Sequence, residues 1–277
     1  MKKILFPTDF SKASVNAFIY ALNLAKQTKA EIITLHVYAL PLVDNVEMPV
    51  YLSEVYDSME FTTFESFKGQ IPFLRKIADE NNLNDIPISS VLLNGDLVNT
   101  ILKIVKDELV DYVVMGTKGA SGIKEKFLGT ATADVMTGTK ATVLAVPENA
   151  VYKGIDRIAF TTLFKETDFK TLKKLLLLAK AFDAEVDCLH IKNSRIHVKE
   201  VVRADWELLF KNEKVTFHYI ENENAEEAIL GFLGQNQTDV LALLNHEHRF
   251  FEGLFHRSMA KKLVFHSKIP VLAFHED

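Results

Sequence analysis

Gly116, Gly119, Gly122 and Gly129 punctuate the stretch from Asp111 to Pro147, and Thr130 follows the last of them directly. Residues of these types in this order suit the capture of a phosphate chain. Glycine lets backbone N–H groups approach an oxyanion with no Cβ in the way and permits positive φ. A threonine that opens a helix adds a hydroxyl donor and can cap it. The apolar run Tyr112 to Met115 ahead of the glycines reads as a strand buried on both faces, and Ala131 to Met136 after them reads as a helix. Strand, glycine loop and helix start together set unpartnered N–H groups and the positive end of the peptide dipoles against an anion. No Gly-Lys-Thr/Ser triplet closes the loop, so it is not a P-loop, and the dinucleotide fingerprint is also missing.

A second set of candidates lies at the end of the first apolar run, in Pro7-Thr8-Asp9. A carboxylate there suits donors such as ribose hydroxyls or an exocyclic amine and would repel phosphate. Its competing role is that of a turn residue bonding its own backbone. Inside the loop, Lys118 either neutralises a phosphate or is simply solvated, and Ser121 is either a further donor or a turn former.

The elements that must position these groups follow from the periodicity. Lys3 to Phe6 is a short strand, and Ser11 is the N-cap of an amphipathic helix to about Gln27. Glu31 to Val37 is the second strand. A long helical segment spans about Leu52 to Asn81, and Pro72 is expected to end or kink it. Ser89 to Leu93 is the third strand, followed by a helix carrying Leu97, Ile101, Ile104 and Val105; Thr142 to Val146 is the fifth strand.

The plan then repeats. Ile158 to Lys165 lies against Ile4 to Ser11, and Leu189-His190-Ile191 against Leu35-His36-Val37, at an offset of 158 − 4 = 154. Near the end Asp239 pairs with Asp111, and Val271-Leu272-Ala273 with Val143-Leu144-Ala145, at 239 − 111 = 128. The difference, 154 − 128 = 26, assigns about that many extra residues to the first half, mainly between Pro41 and Pro72. A tandem duplication is expected, with domains 1–148 and 154–277. Each is read as an α/β unit with an open, mostly parallel five-stranded sheet and helices on both faces, a Rossmann-like fold. Ligands of such sheets sit at the carboxyl ends of strands, where the strand order switches.

Composition bounds the function. In 277 residues, 48% hydrophobic and 25% charged with 20 Phe, there is ample core for a globular protein. A net charge of −5 gives no basic excess for nucleic acid, and no apolar run is long enough to span a bilayer. The apolar run after Lys2-Lys3 is too short for a signal peptide, and the lone Cys188 sits in a strand-like run, so a cytoplasmic location is expected. His246, Glu247, His248 and His256 match no established zinc spacing, and no metal is assigned to them. His36 and His190 occupy equivalent strand positions and are read as structural.

The pattern Gly116, two residues, Gly119, nine residues, Gly129, Thr130 resembles the ATP-binding signature of the universal stress protein family, whose fold is the adenine nucleotide alpha hydrolase-like variant of the Rossmann architecture. The resemblance implies an adenine nucleotide site: ATP, ADP or AMP, alone or with Mg²⁺. In it Pro7, Thr8 and Asp9 would end the first strand with the Asp9 carboxylate on the nucleoside. The Val37 backbone would face the adenine edge and Met115 and Gly116 would lie beside the ribose. Lys118, Gly119, Gly129, Thr130 and Ala131 would meet the phosphates. Many family members carry arginine where this chain has Ala120, which weakens the grip expected on phosphate.

In the second half Leu244, Glu247, Phe250 and Arg257 replace Gly116, Gly119, Gly122 and Gly129, while Ser258 stands for Thr130 and Leu163 for Asp9. Bulk and a carboxylate would reject a nucleotide there. The resemblance thus implies a nucleotide-dependent stress-response regulator with its nucleotide in the first half only, an unidentified protein partner, and an internal pseudo-dimer through Thr142 to Val146 and Pro270 to Phe274. A homodimer of such chains is compatible with it. The rivals are a slow ATPase or nucleotidyl-transfer enzyme and a nucleotide-free scaffold. No nucleophile pairs with a base in the sequence, and Pro7-Thr-Asp-Phe-Ser11 lacks the pyrophosphate-gripping glycines of related adenine nucleotide enzymes.

Overall fold

A computed structural model describes residues 1–40, 49–117, 130–194, 198–245 and 257–276. The first half runs β1 (Lys2–Pro7), α1 (Lys12–Thr28), β2 (Ala30–Tyr38), α2 (Pro49–Glu80), β3 (Ile88–Asn94), α3 (Leu97–Asp107), β4 (Tyr112–Gly116), α4 (Thr130–Gly138), β5 (Thr142–Val146). The second runs β6 (Arg157–Thr161), α5 (Glu166–Phe182), β7 (Glu185–Lys192), α6 (Glu200–Leu209), β8 (Val215–Glu221), α7 (Ala225–Gln235), β9 (Val240–Asn245), α8 (Arg257–His266), β10 (Val271–His275).

Strand-helix-strand links of this length demand parallel pairing with crossovers. The strands accordingly order as β3-β2-β1-β4-β5-β10-β9-β6-β7-β8, one ten-stranded sheet in which each half shows the same internal order. The expected α/β class holds, and the two five-stranded halves merge where their closing strands meet. There β10 runs antiparallel to β5 with Leu272 opposite Leu144, Val271 opposite Ala145 and Ala273 opposite Val143, which sets a pseudo-twofold axis on the seam.

Helices cover both faces, so the inner strands are apolar on both sides: Ile4, Leu5 and Phe6 have no exposed surface. Ile4 and Phe6 belong to a core with Phe18 and Leu22 of α1, Leu74 of α2 and Leu172 and Leu175 of α5. Leu5 faces the other way, into a core with Ile101 of α3, Met136 of α4, Ile229 of α7 and Leu263 of α8. Cys188 is fully buried in β7, and burial raises its thiol pKa well above the usual range, so it is not a reactive thiol.

The 26-residue surplus of the first half shows largely as helix: α2 has 32 residues where its counterpart α6 has 10. Pro41 lies outside the described residues. Of the two outcomes expected of Pro72, an end or a kink, the end is corrected, because α2 continues through it to Glu80. Pro72 is exposed, so water can satisfy the carbonyl that loses its N–H partner, while Phe67, Leu74, Ile77 and Ala78 keep one buried stripe on both sides of it.

Residues 147 to 156 carry the chain from β5 to β6 and are held by Asn16 of α1, whose side-chain amide nitrogen lies 2.6 Å from the Ala150 carbonyl, 3.1 Å from that of Pro147 and 3.4 Å from that of Glu148. Asn16→Ala is expected to cost about 1–2 kcal/mol, since these half-buried carbonyls lose their donor. A urea titration checks it, as a lower midpoint at unchanged slope.

Candidate functional site

The chain leaves β1 toward β2 and β3 and later returns to β4 on the other flank, so the order switches between β1 and β4. A crevice above the carboxyl ends of strands is forced at such a point, because the two connections depart in opposite directions. Pro7, Thr8 and Asp9 follow from β1 there, and Met115 and Gly116 end β4. Positions more than a hundred residues apart in sequence are thus adjacent in space.

The turn after β1 is tightly determined. Thr8 is buried; its N–H donates to the Leu35 carbonyl at 2.8 Å, its hydroxyl lies 2.5 Å from that of Ser14, and it accepts from Phe10 N–H at 3.0 Å. Phe10 adopts a left-handed φ of 58°, a strained state for an aromatic residue that persists only where neighbours enforce it. Its ring packs 5.3 Å from His36 and 6.1 Å from Phe67. Asp9 is exposed and accepts from Ser11 N–H at 3.0 Å, so its carboxylate does make the local turn bond.

Val37 is placed by parity. Backbone groups of alternate residues in a parallel strand point to the same side, and Leu35 turns its carbonyl toward β1, so Val37 turns its own toward β1's side, beyond the end of that strand. Met115 is buried and Gly116 half-buried. The Thr132 hydroxyl donates to the Gly116 carbonyl at 3.0 Å and fastens the first turn of α4 to the end of β4. Thr130 and Ala131 open that helix, so their N–H groups belong to the set without an intrahelical acceptor. Thr132 was not singled out from sequence; a hydroxyl two residues past the loop was the available signal. Lys118, Gly119 and Gly129, with Ala120, Ser121 and Gly122, lie outside the described residues.

The second half builds the same turn and then fills it. Thr162 N–H donates to Leu189 at 2.9 Å, its hydroxyl accepts from Phe164 N–H at 2.9 Å, and Phe164 has a φ of 57°. Where the first half has Ser14, however, stands Asp168, only 1% exposed, with one carboxylate oxygen accepting from Leu163 N–H at 2.7 Å, the Thr162 hydroxyl at 3.2 Å and Lys165 N–H at 3.3 Å. The chain's own carboxylate therefore reaches back from the first turn of α5 to bind the N-cap residue Lys165 and the turn before it. Thr132 has Ala260 as its counterpart, so no hydroxyl clamp recurs. His246, Glu247, His248, Phe250 and His256 lie outside the described residues, and among the described residues no cluster of three or more His, Cys, Asp or Glu could hold a metal ion.

His36 and His190 share one role. Nδ1 lies 2.8 Å from the Thr8 carbonyl in the first and 2.9 Å from the Thr162 carbonyl in the second, so Nδ1 carries the proton and donates in both. Burial lowers the His190 pKa from its ordinary 6.5, against the opposite pull of the Thr162 bond. A folded-state pKa below the unfolded one means that the contribution of neutral His190 is complete above about 6.5 and is lost as pH falls through the folded value. Thermal stability should fall from pH 7 toward pH 5, and His190→Asn, which keeps a donor without the titration, should flatten that slope.

Comparison with known proteins meets this geometry. The sequence profile of the Universal stress protein family matches residues 1–147. The chain belongs to the universal stress protein family. A universal stress protein of Methanocaldococcus jannaschii is 30% identical over 148 residues, covering 52% of this chain and 81% of that protein. One of Bacillus subtilis is 28% identical over 146 residues, covering 52% of this chain and 97% of that protein. The crystal structure of a universal stress protein from Archaeoglobus fulgidus matches 99% of this chain and 96% of its own at a TM-score of 0.73 and 20% identity, a likeness of fold over the whole length. Among the described residues of this universal stress protein no helix is long and apolar enough to cross a membrane.

Proposed function

We propose that this universal stress protein binds ATP, alone or with Mg²⁺, at the carboxyl edge of its first half and serves as a nucleotide-dependent switch in a cytoplasmic stress response. The supporting observation is the convergence at one switch point of the Pro7-Thr8-Asp9 turn, the outward backbone of Val37, the Met115-Gly116 strand end and the start of α4. The donor set fits the ligand. First-turn N–H groups of Thr130 and Ala131, which have no acceptor within the helix, suit phosphate oxygens, the exposed Asp9 carboxylate suits ribose or adenine donors, and glycine at 119 and 129 of the sequence suits close approach. Mg²⁺, when bound, would offset the charge of the triphosphate.

In this reading the chain is a tandem of domains 1–148 and 154–277, and the second is a nucleotide-free partner in which Leu244, Glu247 and Arg257 stand where the first has Gly116, Gly119 and Gly129. The switch is carried by α4. Its first turn lies at the nucleotide site, and near its last turn the Met136 carbonyl accepts from Asn245 of the second half at 3.4 Å. A ligand that fixes one end of α4 thereby biases a contact between halves, and a protein partner would read that difference. Mass spectrometry of small molecules released from the natively purified chain tests the reading. Co-purified adenine nucleotide is expected; its absence, with no uptake of added ATP, leaves the scaffold, and steady release of ADP identifies the enzyme.

A further inference from the structure

From Glu54 to Ser66 no side chain of α2 is buried, and the buried stripe of the helix begins only at Phe67. A helical stretch of that length is marginal in water by itself, because most helical stability comes from burying one face. Gly69, further along, is exposed in mid-helix, and a Cβ added there would meet nothing within 4 Å, so no neighbour among the described residues requires glycine. Glycine weakens an exposed helix relative to alanine. What it offers in return is close approach from outside.

The exposed positions form a seam. Val55, Met59, Thr62, Ser66, Gly69 and Phe73 are all exposed and follow one another at intervals of four, three, four, three and four residues, the spacing of the contact face of a two-stranded coil. Set against its own reversed copy, this face is complementary in size: Val55 falls opposite Phe73, Met59 opposite Gly69 and Thr62 opposite Ser66, every pair centred on position 64. The long, adaptable Met59 side chain thus meets the glycine that leaves room for it. Charge favours the same orientation. Residues 54–67 carry Glu54, Asp57, Glu60 and Glu65 and no base, whereas residues 68–78 carry Lys68, Arg75 and Lys76 and no acid. Lys68 and Lys76 make exposed pairs with Glu65 at 3.6 Å and Glu80 at 3.7 Å, and Arg75 donates to the Ile88 carbonyl at 2.6 Å. Exposed pairs of that kind are weak, and the complementarity is that of whole helix halves, acidic against basic when the copy is reversed and like against like when it is parallel. We propose that a second copy of this chain docks on this face, its α2 antiparallel to the first over about 27 Å of helix, so that one self-complementary contact closes a dimer about a twofold axis at the level of residue 64. Phe61 and Phe64, also exposed, lie outside the seam by the helical period.

Light scattering on the full chain over a range of concentrations tests the assignment, and twice the mass of one chain is expected at the upper end. Gly69→Lys, which fills the notch opposite Met59, should weaken the dimer at least tenfold. The fold is retained, since the position is open and lysine is the better helix former, and the melt of the dilute monomer should be no lower. Phe64→Ser, on the far side of the helix, should leave the dimer as it is. Register is read with cysteine: chains carrying Thr62→Cys mixed with chains carrying Ser66→Cys should form disulfides between unlike chains in preference to like ones, and the buried Cys188 takes no part. A monomer at every concentration, a dimer indifferent to Gly69→Lys, a dimer lost in Phe64→Ser, or crosslinks chiefly between like chains overturns the assignment.

Discussion

Ala131→Glu is expected to raise the dissociation constant for ATP by about 100-fold, roughly 2.7 kcal/mol, while the folded chain becomes no less stable. Ala131 is the second residue of α4 and half-buried at the crevice. A carboxylate in the first turn of a helix is favourable by about 0.3–1 kcal/mol, so folding should not suffer. The same carboxylate engages the N–H groups that phosphate oxygens would use and repels their charge, and both effects oppose the nucleotide. Ala131→Gln isolates the charge, since it keeps the bulk and should lose far less. Calorimetry and a thermal melt on the three proteins decide the matter, and an unchanged affinity in the glutamate variant speaks against phosphates at the start of α4.

Asp168→Ala should destabilise the chain by about 3 kcal/mol. The carboxylate is buried and holds two backbone N–H groups and the Thr162 hydroxyl at the start of α5. Truncation strands these donors where water cannot reach them readily, which costs about 1–3 kcal/mol for a buried group, and removes the bond from the N3 carboxylate back to the N-cap backbone of a 17-residue helix, worth about 1 kcal/mol. Asp168→Ser, which installs the residue type of the first half, should recover part of the loss by reaching Thr162 as Ser14 reaches Thr8. Urea midpoints measure the difference; a shift under about 0.5 kcal/mol for the alanine variant would mean that the cap is redundant.

Much of the architecture was legible because it depends on short apolar runs and their spacing. Thr142–Val146 formed as read, Ser11 caps α1 as its type and place implied, and the offsets of 154 and 128 correspond to two halves of equal strand order. The pairing of the closing strands was implied by the family resemblance, and β10 does run antiparallel to β5. Pro72 does not end α2, because local propensity is outweighed by the buried stripe on either side of it. At the site, the types of Asp9 and Gly116 were readable, but their bonds were not. Whether Asp9 turns to Ser11, or Thr132 to the Gly116 carbonyl, is settled by distances that only packing fixes. Asp168 escaped notice for the same reason: a carboxylate early in a helix is common, and only burial shows that it fills the turn from within.

The central claim is that one half of this chain, and not the other, accepts a nucleotide. Titration calorimetry of ATP with magnesium into the intact chain tests it most directly. The account predicts a single site per chain, weakened about 100-fold in Ala131→Glu and retained in Asp168→Ser; no heat under any condition, or two sites per chain, would contradict it.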